Sequence, residues 1–135
     1  MNCAHERGSL TGMFVCLVMG LLAVSALVFD GGQVVRTYDE LSTLAADTAR
    51  IGGQQIVGIR GGDAQIDERS AVLTMNRYLS QFGESASYQV GKYELTVTLV
   101  RRVNTNMLAL VGIGSRTVVA SRTVELVQGL SLIHI

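Results

Sequence analysis

The stretch GSLTGMFVCLVMGLLAVSALVF, residues 8–29, contains neither a charged residue nor a proline. As an α-helix rising about 1.5 Å per residue, it would extend roughly 33 Å, slightly more than the ~30 Å hydrocarbon core of a bilayer. An uninterrupted apolar run of this length is typical of a transmembrane helix rather than of a buried helix in a soluble protein. We therefore predict a single membrane-spanning helix at residues 8–29.

A cleaved secretory signal is the alternative interpretation of the same stretch. A short charged leader precedes the apolar run, and the small residues Ala23-Val24-Ser25 fit a cleavage site. The apolar run nevertheless continues beyond this site to Phe29, which favours a retained anchor. The slight excess of positive charge before the span favours a cytoplasmic leader at residues 1–7 and an extracytoplasmic domain at residues 30–129 of a single-pass protein of the cell membrane.

Small residues recur at intervals of four along the predicted span, at Gly8, Gly12, Cys16 and Gly20. Residues at this spacing share one helix face, and small side chains let two membrane helices approach closely. The face therefore predicts packing against a partner helix or a second copy of the chain. The ordinary glycine content of membrane helices is the alternative explanation.

After the span, the helical pattern is expected to continue and a second helix to follow. Apolar or small residues are spaced four and three apart at Val34, Tyr38, Leu41, Ala45, Thr48 and Gly52. The glycine pairs at 31–32 and 52–53 are expected to loosen this helix. Asp63 is the predicted N-cap of the second helix, Gly83 its C-cap, and its apolar stripe comprises Ala71, Val72, Met75, Tyr78, Leu79 and Phe82.

The last part of the chain changes to the period of a β-strand. Strict alternation from Tyr93 to Leu99 predicts a half-buried strand, preceded by a strand at 87–90 and followed by one at 116–127. Between the last two strands, residues 108–114 are expected to form an apolar loop or short helix, and Arg101 and Arg102 to end a strand in solvent. The predicted fold class is therefore α+β, with helices followed by a small antiparallel sheet.

Composition argues against several functions. Eleven basic and eleven acidic residues cancel, and no basic stripe is present that would bind nucleic acid or anionic lipid. The two cysteines and two histidines have no metal-ligand spacing, and no nucleophile–histidine–acid set or phosphate-binding loop occurs. We predict a non-enzymatic protein without cofactor or metal, whose partners are membrane lipid and other proteins.

The final six residues, LSLIHI at 130–135, are the in-frame translation of CTGTCTCTTATACACATC, a transposase mosaic end used as a sequencing adapter. All six codons match. We therefore interpret residues 130–135 as an adapter-derived artefact and expect the informative sequence to reach about Gly129.

Three segments in a fixed order resemble the N-terminal part of TadE/TadG-like proteins of the tight-adherence (Flp) pilus assembly system. They are ERGSLT at 6–11, FDGGQ at 29–33 and LAADTARIG at 44–52. ALVGIGS at 109–115, followed by a Thr/Val-rich strand, is similar to the outer portion of actinobacterial members. The motif residues on which the resemblance depends are Asp30, Gly32, Ala45, Ala46 and Asp47.

The resemblance implies a membrane-anchored accessory of pilus assembly, secretion and cell adhesion that is similar to a minor pilin and acts with other Tad/Flp proteins. In pilin-like members a prepilin peptidase cuts after a glycine, which corresponds to a cut between Gly8 and Ser9 here. The fifth residue of that product would be Met13 rather than the usual glutamate, whereas TadG-like members remain uncleaved. The alternative function is a secreted or anchored module, unrelated to pili, that binds an extracellular ligand through its sheet.

Overall fold

The computed structural model describes residues 6–127, so residues 1–5 of the predicted leader and the whole 130–135 tail lie outside the described residues. The elements follow the predicted order of helices and then strands, and the α+β fold class is confirmed. In chain order they are α1 (Glu6–Gly53), β1 (Ile56–Val57), a 3₁₀ helix (Ile59–Gly61), β2 (Gln65–Ile66), α2 (Glu68–Ser80), β3 (Ala86–Val90), β4 (Glu94–Asn104), a second 3₁₀ helix (Leu108–Val111) and β5 (Ser115–Glu125).

The chain divides into two compact units, to both of which α1, β4 and β5 contribute residues. The helix–hairpin unit comprises Met1–Val35 and Val103–Arg116, and the sheet unit comprises Arg36–Arg102 and Thr117–Ile135. The two units differ in composition, because the first holds the apolar run of α1 and the second holds the buried core.

Helix α1 is continuous from the apolar run into the polar region, as the periodicity predicts. It passes through Gly31 and Gly32 without interruption, so this glycine pair does not end the helix. Among the described residues, one helix is long and apolar enough to cross a membrane, and none of its most apolar window is buried. The apolar side chains of that window therefore have no protein core around them.

The core of the sheet unit is built from one face of each helix and one face of the sheet. Strand β4 lies between β3 and β5, and Ala86 and Val90 of β3 pair with Leu99 and Leu95 of β4 in antiparallel register. The buried apolar side chains of this core include Leu41, Ala45 and Ala49 of α1, Ala71, Met75 and Leu79 of α2, Leu95, Val97 and Leu99 of β4, and Val118 and Ala120 of β5. Burying each large apolar side chain contributes about 1.5–3 kcal/mol.

The other face of the sheet is polar. Thr96 and Thr98 of β4 alternate with the buried residues of that strand, and their hydroxyls bond to those of Thr123 and Ser121 at 2.7 and 3.0 Å. As the residue number rises on β4 it falls on β5, so these two strands also run antiparallel. The predicted alternation of apolar and polar residues along β4 is confirmed.

The predicted N-cap of the second helix is wrong by one turn. Helix α2 begins at Glu68 with Asp67 in the extended N-cap conformation, and the Asp67 carboxylate accepts a bond from the Ser70 hydroxyl. Asp63 instead accepts a bond of 3.2 Å from the Tyr93 hydroxyl. The intervening residues form β2, which pairs with β1 in a two-stranded sheet that the sequence pattern did not predict.

Three further expectations are corrected at the ends of elements. Phe82 lies beyond the end of α2 at Ser80 and is exposed, so it does not belong to the buried stripe. Arg101 does not end a strand in solvent, because β4 continues to Asn104 and the guanidinium of Arg101 forms two ion pairs. The C-cap of α2 is Gln81 rather than the predicted Gly83, and Gly83 follows two residues later in a left-handed conformation with a φ of 67°.

Candidate functional site

Asp30, the first charged residue after the apolar run, is buried although it lies on α1 next to exposed residues. Its side chain is 1 % exposed, and its carboxylate accepts bonds from three consecutive backbone amides. The amide nitrogen of Asn106 lies 3.4 Å from Oδ1, while those of Met107 and Leu108 lie 3.0 and 2.6 Å from Oδ2. Hydrogen bonds from amides to a carboxylate are stronger than neutral ones, so Asp30 fastens the loop after β4 to α1.

The loop that Asp30 holds is ordered by its own backbone bonds as well. The amide of Ile113 donates to the carbonyl of Leu108 at 3.0 Å, and the amide of Thr105 donates to that of Gly114 at 3.3 Å. Thr105 is buried, and its hydroxyl donates to the Ile113 carbonyl. Gly112 has a φ of 91°, a conformation that favours glycine, and it ends the second 3₁₀ helix. Together with the end of β4 and the start of β5, this loop forms the hairpin of the helix–hairpin unit, Val103–Arg116.

The other motif residues lie in the sheet unit, except for Gly32. Ala45 is buried in the core, Ala46 is half-buried, and Asp47 is half-buried at the edge of a surface groove. Gly32 is exposed, and a Cβ added there would meet no atom within 4 Å. The motif residues therefore have separate places in the structure: Ala45 lies in the core, Asp47 lines the groove, and the Asp30 carboxylate holds the loop after β4.

The groove combines an acidic side with an aromatic side. Its lining residues are Asp39, Glu40, Thr43, Leu44, Asp47, Tyr78, Phe82 and Arg101. The rings of Tyr78 and Phe82 pack edge-to-face with centroids 5.2 Å apart. Acidic groups beside the half-buried ring of Tyr78 and the exposed ring of Phe82 are complementary to a ligand with basic and apolar groups.

Arg101 joins two elements at one end of this groove. Its guanidinium lies 3.1 Å from Glu40 on α1 and 2.6 Å from Glu84, which precedes β3. Burial alone would lower the pKa of Arg101, but the hydrogen bonds and charges of Glu84 and Glu40 outweigh it and raise the pKa. Arg101 therefore remains charged, and its role within the unit is to hold α1 and the start of β3 against β4.

The residues predicted for helix packing and processing lie within α1. Ser9, Gly12, Cys16 and Gly20 are all exposed, and Cys16 is a free thiol. A Cβ added at Gly12 or Gly20 would meet no other atom within 4 Å. Gly8 also lies inside the helix. Packing and cleavage at these positions stay predictions.

Comparison with family models, curated proteins and solved structures finds no match to this chain. Within residues 6–127, no group of three or more histidine, cysteine or acidic side chains is arranged to hold a metal ion. The geometry of the chain itself therefore carries the functional argument.

Sequence reasoning singled out Asp30 but not its partners, and it did not identify the groove. A buried acid can be suspected from the sequence wherever a carboxylate interrupts an apolar helix. Its partners lie 76 to 78 residues further along the chain, at a separation that no local pattern encodes.

Proposed function

We infer that the protein is a non-catalytic, membrane-anchored, pilin-like accessory of Flp/Tad pilus assembly and secretion. The observation that carries this proposal is the contrast in burial between the two parts of α1. Its first part is apolar and exposed, whereas Leu41, Ala45 and Ala49 of its later turns are buried in an α+β core. A helix that enters lipid at one end and supports a small domain at the other is the architecture expected of a minor pilin-like subunit.

The same helix supports the proposed topology. Exposed apolar side chains such as Leu10, Phe14 and Leu22 would be costly in water and are stabilised in a bilayer, where a helix satisfies its own backbone groups. We place residues 1–7 in the cytoplasm and the domain outside. The small residues of the apolar run, Gly8, Gly12, Cys16 and Gly20, would face neighbouring helices. Asp30 would hold the hairpin, and Asp47 would line the groove.

The test is to extract the protein from membranes of its native host with an antibody against the sheet unit. Its intact mass is measured, and the proteins that co-purify are identified by mass spectrometry. We expect the membrane components of a Tad secretion and pilus machine to co-purify, because an accessory subunit must contact them. A mass beginning at Ser9 would identify a processed pilin-like subunit, and a mass retaining residues 1–8 would identify a permanent anchor.

The proposal fails if the product is soluble and begins near Ser25 or if no pilus assembly protein co-purifies. Extraction after a high-salt wash is the control, since contacts between apolar helices survive salt whereas adventitious ionic contacts do not.

A second candidate, a secreted or anchored binding module, is favoured by the groove beside Asp47. Its acidic residues Asp39 and Asp47 and its rings Tyr78 and Phe82 suit an extracellular segment that carries basic and apolar side chains. A soluble product in the experiment above would support this candidate over the first.

A further inference from the structure

The hairpin that Asp30 holds carries an apolar tip. Residues 103–115 contain no charged side chain, and four large apolar side chains in this stretch are exposed, those of Met107, Leu110, Val111 and Ile113. Leu110 is 88 % exposed and Val111 is 75 % exposed. Single exposed apolar residues are ordinary, but four within seven residues form a patch that usually marks an interaction surface.

The tip is held in one conformation. The amides of Met107 and Leu108 donate to Asp30, and other amides donate to carbonyls within the 3₁₀ turn. The carbonyls of Ile113 and Gly114 accept bonds from Thr105. The amides of Met107, Leu108, Leu110, Gly112 and Ile113 all have acceptors within the helix–hairpin unit. A loop whose amides are satisfied internally can leave water at a smaller cost than a loop with free amides.

The position of the tip along α1 identifies the surface it meets. A cleft in the helix–hairpin unit is lined by Leu27, Asp30, Gly31 and Val34 of α1 and by Thr105, Leu108 and Arg116 of the hairpin. Leu27 belongs to the last turn of the apolar run, and Asp30 is the first charged residue after it. The hairpin therefore lies beside the turn of α1 that passes from the hydrocarbon core to the headgroups if the run spans a bilayer.

We propose that residues 107–113 form a second membrane contact, inserted into the interface of the leaflet from which α1 emerges. This inference rests on the proposed anchoring of α1. Interfacial segments insert about 5–10 Å, and non-helical backbone is not tolerated in the hydrocarbon core itself, so the contact is shallow. Arg116, which lines the same cleft, would meet lipid phosphates if the hairpin lies at this interface. Two points of contact fix the rotation of this part of α1, which one helix alone leaves free.

The chain contains no tryptophan, so a single introduced tryptophan reports on one position without background. Val111→Trp labels the hairpin tip. Val119→Trp is the matched control, because Val119 is 51 % exposed on β5 in the sheet unit, between the buried Val118 and Ala120. Phe14→Trp labels the apolar run. Each full-length variant is reconstituted into phosphatidylcholine vesicles whose acyl chains are brominated at a shallow or a deep carbon, and quenching is measured.

We expect the Val111→Trp emission to be blue-shifted and to be quenched more by shallow than by deep bromine. The Phe14→Trp emission should be quenched by deep bromine. The Val119→Trp emission should not change. Leu110→Trp repeats the tip measurement at a second exposed position. If both tip variants resemble Val119→Trp while Phe14→Trp is quenched, the hairpin contact is refuted and the anchor stands. A blue shift without quenching would mean that a second copy covers the tip, which also refutes it. An unquenched Phe14→Trp would overturn the anchor and with it this inference.

Discussion

At the scale of single residues, Asp30 shows how a carboxylate can be tolerated in a buried position. Removing an ionised carboxylate from water is costly unless hydrogen bonds replace its hydration. Three amides perform that function here, and because they belong to a loop remote in sequence, the carboxylate and the loop stabilise each other. Neither would be satisfied if the other were absent.

The change Asp30→Ala removes the acceptor for the amides of Asn106, Met107 and Leu108. Hydrogen bonds to charged groups contribute about 1.5–3 kcal/mol, so local opening of the loop becomes roughly 10- to 150-fold more frequent. Hydrogen exchange at these amides in the detergent-solubilised protein measures this opening. Asp30→Asn is the matched control, because its remaining oxygen can still accept the bonds of Met107 and Leu108. Equal exchange in Asp30→Ala and the wild type would contradict the role of Asp30.

At the scale of elements, α1 passes from an exposed apolar segment to a tightly packed one. The space available for a side chain at the glycine positions of α1 changes accordingly. Gly32 has open space around it, whereas a Cβ on Gly52 would come within 2.5 Å of both the Leu95 Cδ2 and the Met75 Sδ atoms. Leu95 and Met75 are fully buried, so neither side chain can move aside freely. Gly52 thus lies where α1 comes close to α2 and β4.

We expect Gly52→Ala to lower the melting temperature of the sheet unit by several degrees. Alanine favours a helix over glycine by about 1 kcal/mol, but overpacking a core costs about 1–3 kcal/mol, so the clash outweighs the gain. Thermal unfolding followed by near-ultraviolet circular dichroism, which reports tertiary packing, is the measurement. Gly32→Ala makes the same substitution in the same helix without the clash and should not lower the melting temperature. A Gly52→Ala protein as stable as Gly32→Ala would show that the core relaxes around the methyl group.

Also at the element scale, the local sequence pattern of β4 is enough to predict which of its side chains are buried. Leu95, Val97 and Leu99 alternate with polar residues, and the pleat of any strand sends such a series to one face. The Arg101 side chain is the exception within the same strand, because it is retained by Glu40, 61 residues earlier in the chain.

At the scale of the whole molecule, the surface of α1 that the described residues leave uncovered is where we expect copies or partners to pack. Gly12 and Gly20 have no neighbouring atom that an added Cβ would meet, so larger side chains there leave the fold of the chain itself undisturbed. A loss of assembly on substitution would therefore report on contacts with other chains.

We expect the double variant Gly12→Leu with Gly20→Leu to lose oxidative crosslinking through the exposed Cys16 thiol in native membranes, since bulk separates packed helices. Resistance to carbonate extraction should be unchanged, because leucine is fully compatible with lipid. Val18→Leu with Ser25→Leu adds bulk at two exposed positions on the opposite side of the helix and serves as the control. Undiminished crosslinking in the glycine double variant would refute the packing face.

The sequence by itself determined the features that depend on neighbours along the chain. The apolar length of residues 8–29, the spacing of Leu41, Ala45 and Thr48 on α1, and the alternation of β4 all follow from local periodicity, and each corresponds to an observed element. The resemblance to pilus assembly proteins and the processing site at Gly8 and Ser9 are likewise statements about sequence, and they await the experiments above.

Only the tertiary structure decided which distant residues meet. Asp63 and Asp67 are equally good N-caps by composition, and the pairing of β1 with β2 selected Asp67. Asp30 contacts the Met107 amide, and Arg101 contacts Glu40, across more than sixty residues of chain. Local spacing specifies the face on which a side chain lies, but the partner on that face depends on how the elements close on one another, which is a property of the folded chain as a whole.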